Sequence, residues 1–108
     1  MKEKSLLLQL TGEMPLFKII DFLLDNKGLD FSKTEIAKGS GISRASLFNH
    51  WEQIEKHSIV DVTRRFGKTR LYTLNSTNPV TQRIIELERA LIAQALEGAP
   101  KKQVMLRN

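Results

Sequence analysis

Apolar side chains recur along this chain at two different spacings, and the change from one to the other marks out its elements. Leu16, Ile19, Ile20, Leu23 and Leu24 return every three or four positions, with Phe17 and Phe22 widening the stripe. That is the period of a helix with one buried face. Pro15 suits its first turn, and Asn26-Lys27-Gly28 its end. Ahead of it, Leu6, Leu7, Leu8 and Leu10 before Gly12 read as a short helix that shields apolar surface. Ser32 followed by Glu35 is a capping box, so a helix is expected from Lys33 to about Lys38. The Gly39-Ser40-Gly41 turn breaks it, and Ser43 caps a further helix to about His57. At 100° per residue, Leu47, Trp51 and Ile54 share the inner face of that helix, opposite Ala45, Asn49, Glu52 and Lys56.

The period then shortens to two. Val60 and Val62 alternate with Asp61 and Thr63, and Tyr72 and Leu74 alternate with Leu71 and Thr73. These stretches flank Phe66-Gly67-Lys68, which predicts a β-hairpin with a three-residue loop, Val62 across from Tyr72 and Arg64 across from Arg70. Asn78-Pro79 starts a last helix that runs to Leu96 and is stopped by Gly98 and Pro100. The expected class is mainly α with a small β-hairpin (α+β). Its segments are 1–13 at the N-terminus, 14–76 as the main domain, 77–98 as a C-terminal helix and 99–108 as a mobile tail.

Composition narrows the function classes. At 108 residues, 41% hydrophobic and 27% charged, the chain suits one soluble domain. It has no cysteine, which excludes disulfides and thiolate metal sites. Its apolar runs are too short to span a bilayer and its start lacks a signal peptide, so a cytoplasmic location is expected. The net charge of +5 is not spread evenly. Between Val62 and Ile85 there is no carboxylate, while Arg64, Arg65, Lys68, Arg70 and Arg83 supply five positive charges. The other 12 basic residues match the 12 acidic ones. The surplus is therefore one patch, most of it on the hairpin, and a polyanion is the partner such a patch suits.

Two short helices joined by a glycine turn form a helix-turn-helix, in which the second helix presents small and polar residues at its start. The run "EIAKGSGISRASLFNHWEQIEKH", from Glu35 to His57, resembles the DNA-reading unit of MarR- and ArsR-like winged-helix regulators in Ala37, Gly41-Ile42-Ser43, Leu47, Trp51 and Ile54. The basic hairpin follows where those regulators carry their wing. Together with "TRRFGKTRLYTLN" and "NPVTQRIIELERALI", the chain from 10 to 96 is similar to small archaeal winged-helix DNA-binding proteins, with Met14-Pro15-Leu16-Phe17 an approximate match to their first segment. The resemblance implies a winged helix-turn-helix with an added C-terminal helix, and double-stranded DNA as partner. It places Ser43, Arg44, Ala45, Ser46, Phe48, Asn49 and His50 in the major groove. Arg64, Arg65, Lys68 and Arg70 would lie on phosphates or in the minor groove. Asn can pair with adenine, Arg with guanine, and Phe can touch a thymine methyl.

Other residues invite less. His50 and His57 stand two helical turns apart, too far to share one ion, and the cysteine pair of ArsR-type sensors is missing. Asp21 with Asp25 and Glu52 with Glu55 read as solvated faces, and no nucleophile–base set stands out, so no enzyme activity, metal or cofactor is expected. On the last helix, Val80, Ile84, Leu87 and Leu91 form one stripe, and Ile85, Ile92 and Leu96 a second. One stripe suffices for the domain, so two suggest a homodimer through this helix, with the first stripe as its interface. "LFNHW" also resembles the reading helix of TetR-like regulators, which lack a hairpin and carry a large ligand domain. A sequence-specific transcriptional regulator is the leading expectation. A nucleoid-associated or DNA-segregation protein with little sequence preference is the alternative, and a protein-docking module a third.

Overall fold

Ser5 starts the first helix: its hydroxyl accepts from the Leu8 amide, and α1 runs Leu6–Thr11. In the computed structural model, which describes residues 4–98, α2 (Pro15–Asp25), α3 (Lys33–Ser40), α4 (Arg44–Lys56), β1 (Val60–Phe66), β2 (Thr69–Leu74) and α5 (Pro79–Glu97) follow. The expectation of a mobile tail at 99–108, and the first three residues of the N-terminal segment, lie outside the described residues.

The core is the set of inner faces that the apolar periods pointed to. Leu7 of α1, Ile19 and Leu23 of α2, Ile36 of α3, Leu47 and Ile54 of α4 are all buried, as are Tyr72 and Leu74 of β2. Each such aliphatic side chain contributes roughly 1.5–3 kcal/mol when taken out of water. From α5 only Thr81 and Ile85 reach full burial. Phe22 and Phe31 pack at 4.9 Å between ring centroids, and Trp51 meets Tyr72 edge-on at the same distance. Trp51 is thus a core residue.

Two glycines govern how α3 meets its neighbours. Gly41 caps α3 in the left-handed region at φ +75°, ψ 31°, and its amide donates to Ala37. This reverses the chain in one residue, which a Cβ would oppose. Gly39 has another task. A Cβ built there would lie 2.2 Å from the Phe22 ring, so α2 and α3 approach as closely as they do only because no side chain intervenes.

The hairpin departs from the expected register. Val62 faces Tyr72 as predicted, but Arg64 faces Leu71, and it is Arg65 that faces Arg70. A bulge between Val62 and Arg64 inserts one residue, and everything beyond it moves on by one. The closing pair is Phe66 with Thr69, which leaves two residues at the tip rather than three. Gly67 there carries φ +59°, the sign a two-residue hairpin turn with glycine first requires. On its other side β2 bonds to the α2–α3 loop: the Phe31 amide donates to Tyr72 at 2.9 Å and the Tyr72 amide returns the bond at 2.7 Å.

Candidate nucleic-acid interface

Ser43 shapes the start of α4. Its hydroxyl accepts from the Ser46 amide at 3.0 Å, so this side chain is engaged as a cap. Arg44, Ala45, Phe48 and Asn49 are exposed beyond it, and Ser46 and His50 are half-buried. The Nδ1 of His50 lies 2.9 Å from the Ser46 carbonyl. Phe48 is 49% exposed, and the Arg44 guanidinium carbon stands 5.8 Å from its ring centroid. Of the predicted residues of this helix, Ser43, Arg44, Ala45, Phe48 and Asn49 are therefore the open ones, spread over its first two turns.

On the hairpin every residue from Asp61 to Arg70 is exposed. Arg64 differs from its neighbours. Its Nε donates to Asp30 at 2.9 Å and its Nη2 at 3.0 Å, a two-pronged pair with a carboxylate that sequence proximity did not reveal. Thr63, the bulged residue, donates its hydroxyl to the same carboxylate. The Arg64 and Thr63 hydrogen bonds hold the Asp30 carboxyl at about 2, well below the ordinary carboxylate value, and Asp30 raises Arg64 in turn. Arg44, Arg65, Lys68 and Arg70 have no ion-pair partner among the described residues.

The two elements meet across an open cleft of about 410 Å³, whose lining includes Arg44 from α4, Lys68 and Arg70 from the hairpin, and Lys33 from α3. Sequence reasoning overlooked Lys33, which reads as a solvated lysine beside a cap. It also passed over Phe66 at the hairpin tip, which is 59% exposed with the Arg64 guanidinium carbon 5.6 Å from its ring centroid.

The dimer stripe divides in space. Val80 and Leu87 are exposed, whereas Ile84 and Leu91 are half-buried. From the second stripe Ile85 enters the core, while Ile92 and Leu96 stay outside. Leu91 also lines an open groove of about 530 Å³ with Leu6 and Leu10 of α1. His50 and His57 bring no metal-ligand cluster together among the described residues; the one acidic grouping there is Asp21, Asp25 and Glu88. No helix of the described residues is long and apolar enough to cross a membrane.

Comparison against protein-family models and against curated proteins finds no match. Solved structures do match. The AntR antimony-specific transcriptional repressor is 20% identical with a TM-score of 0.54, over 74% of this chain and 68% of that one. Bordetella bronchiseptica BpsR, whose DNA binding is regulated by 6-hydroxynicotinic acid, is 17% identical with a TM-score of 0.51, over 85% of this chain and 67% of that one. Lactococcus lactis ZitR is 11% identical with a TM-score of 0.56, over 92% of this chain and 78% of that one. At such identities the likeness is one of fold: a winged helix-turn-helix followed by a C-terminal helix.

Proposed function

We propose that this chain is a sequence-specific double-stranded DNA-binding transcriptional regulator, without catalytic activity or cofactor, that works in the cytoplasm as a homodimer. One observation carries the reading. Arg44 at the start of α4 and Lys68 and Arg70 on the wing line one cleft, and no carboxylate among the described residues pairs with them. A duplex laid there meets base-reading side chains from α4 and phosphate-binding cations from the wing. The names of two solved relatives, a transcriptional repressor and a protein whose DNA binding is regulated, agree with it.

In this reading the helix from 43 to 57 enters the major groove. Arg44 and Asn49 read guanine and adenine edges, flanked by Ser43, Ala45, Ser46, Phe48 and His50. Arg65, Lys68 and Arg70 take phosphates or the minor groove, and Arg64 serves by holding the wing in place through Asp30. The segment 14–76 is the DNA-binding domain. Segment 77–98 supplies the dimer contact through Val80, Ile84, Leu87 and Leu91, with Leu10 of α1 alongside.

The test is selection from a randomised duplex library, followed by affinities for the selected and random sequences at matched salt. Enrichment of an inverted repeat, with half-sites about one duplex turn apart, supports a dimeric regulator. Equal affinity for both pools favours the second reading, an architectural or segregation protein. The exposed Phe66 at the wing tip speaks for that second reading, because apolar wedges of this kind kink DNA from the minor groove. Failure to hold any duplex overturns both.

A further inference from the structure

Lys33 is the first residue of α3, yet it does not trail into solvent. Its Nζ lies 5.4 Å from the centroid of Phe48, 5.6 Å from Trp51 and 5.9 Å from Tyr72. Each ring is within the range at which an aromatic face attracts an ammonium. Two of the rings belong to α4 and the third to β2, so one cation is fixed where three elements join. A side chain already confined in this way has less freedom left to lose when an anion arrives.

The surroundings all favour an anion. The cleft holds Lys33, Arg44, Lys68 and Arg70 and no acidic lining residue. Glu35, the acid nearest in sequence, accepts from the Ser32 amide at 2.8 Å within the capping box. The Ser32 hydroxyl serves the Glu35 amide. That leaves the amides of Lys33 and Thr34, the first two of the helix, with no acceptor in their own helix. Both residues line the cleft.

We propose that this cleft seats a single backbone phosphate of duplex DNA, with Lys33 as its ring-held cation and Phe48 as the platform beneath both Lys33 and Arg44. The seat rests on the DNA-binding reading and adds to it a contact outside the reading helix and the wing. It gives Phe48 a task other than touching a thymine methyl. The bound phosphate lies between the base-reading turn and the wing, and so fixes the register of one against the other.

The experiment measures duplex affinity against salt concentration for the full chain and for Lys33→Gln and Lys33→Arg, on the selected sequence and on single-base variants of it. Removing one phosphate contact lowers the slope of log affinity against log salt by about 0.9. Lys33→Gln is expected to show that loss, and to weaken every sequence by the same factor. Lys33→Arg is expected to retain most of the slope, and melting temperatures establish that both variants fold. An unchanged slope for Lys33→Gln overturns the seat while leaving DNA binding intact, as does a loss confined to one base position. If the unaltered protein holds no duplex, the failure belongs to the DNA-binding reading instead. A parallel titration with inorganic phosphate tells a backbone phosphate from a free one: saturation at micromolar phosphate without DNA would overturn the proposal.

Discussion

Arg64 grips Asp30 with two nitrogens, at 2.9 and 3.0 Å, and so ties the root of the wing to the loop that leads into α3. The bond joins residues 34 apart in the chain. Phe31 pairs with Tyr72 next to it, and Ser32 caps α3 immediately after. One carboxylate therefore reinforces the Phe31–Tyr72 backbone pairing that orients the wing against the helix-turn-helix. Because hydrogen bonding holds the folded Asp30 pKa at about 2, down from 3.8, its contribution to stability is complete above 3.8 and fades as pH falls towards 2. Asp30→Asn should melt below the parent protein at neutral pH, and the gap should close as the pH approaches 2. A gap that stays constant across that range would show that the pair is not its cause.

Arg65 and Arg70 face each other on the wing, and neither has a carboxylate partner among the described residues. A directly opposed like pair costs roughly 0.2–1 kcal/mol. Arg65→Thr should thus raise the stability of the free protein by a few tenths of a kcal/mol and weaken duplex binding. Denaturant unfolding and a binding titration on the same sample check the two signs together. Loss of both stability and binding would mean that Arg65 holds the fold rather than the ligand.

Gly39→Ala places a methyl group against the Phe22 ring, where the nearest carbon would be 2.2 Å away. Overpacking of this kind typically costs about 1–3 kcal/mol. The double variant with Phe22→Leu should recover part of the loss, because the smaller side chain makes room. Urea midpoints for the single and double variants measure it.

Glu88 on α5 is pushed above its ordinary value by burial first, and then by the negative charges of Asp25 and Asp21 on α2, against the opposing pull of Lys27. Its folded pKa exceeds the unfolded one, so the ionised form costs stability at neutral pH and the cost disappears as pH falls below about 4.5. Glu88→Gln should therefore melt higher than the parent at pH 7 and equal to it near pH 4. Thermal unfolding across that range gives the comparison.

Leu87 is 39% exposed and Leu10 58% exposed, on the two helices that border the α1–α5 groove. If a second copy covers this face, Leu87→Glu together with Leu10→Glu should turn a dimer into a monomer with the fold kept. Light scattering and circular dichroism on the doubly substituted chain report the two properties. An unchanged dimer mass would move the interface elsewhere.

Why some of this could be read from the chain and some could not comes down to the range of the forces involved. The helices announce themselves because their signals are local: Ser32 and Glu35 are three residues apart, and the Leu47, Trp51 and Ile54 face follows from helix geometry alone. The wing register was misread because its cause is remote. Thr63 bulges towards Asp30, a partner 33 residues earlier, and that one displaced residue exchanges Arg64 for Arg65 opposite Arg70. Lys33 was missed for a similar reason. Its rings come from α4 and β2, and nothing in its own neighbourhood of sequence distinguishes it from a solvated lysine. The α5 stripe was half legible: period showed which residues align, but only its place beside Leu16 and Ile20 of α2 and Ile54 of α4 shows that Ile84 is half covered while Leu87 is not.

β2 has hydrogen-bonded company on both sides, β1 on one and Phe31 on the other. Phe31 interrupts the β2 margin at Tyr72, while the outer side of β1 is kinked at Thr63 and studded with arginine. A neighbouring molecule's strand seeking to add there would meet a bent backbone and its own like charges. The features suited to gripping a polyanion thus also discourage strand-by-strand fibril growth, even at concentrations where other surfaces associate.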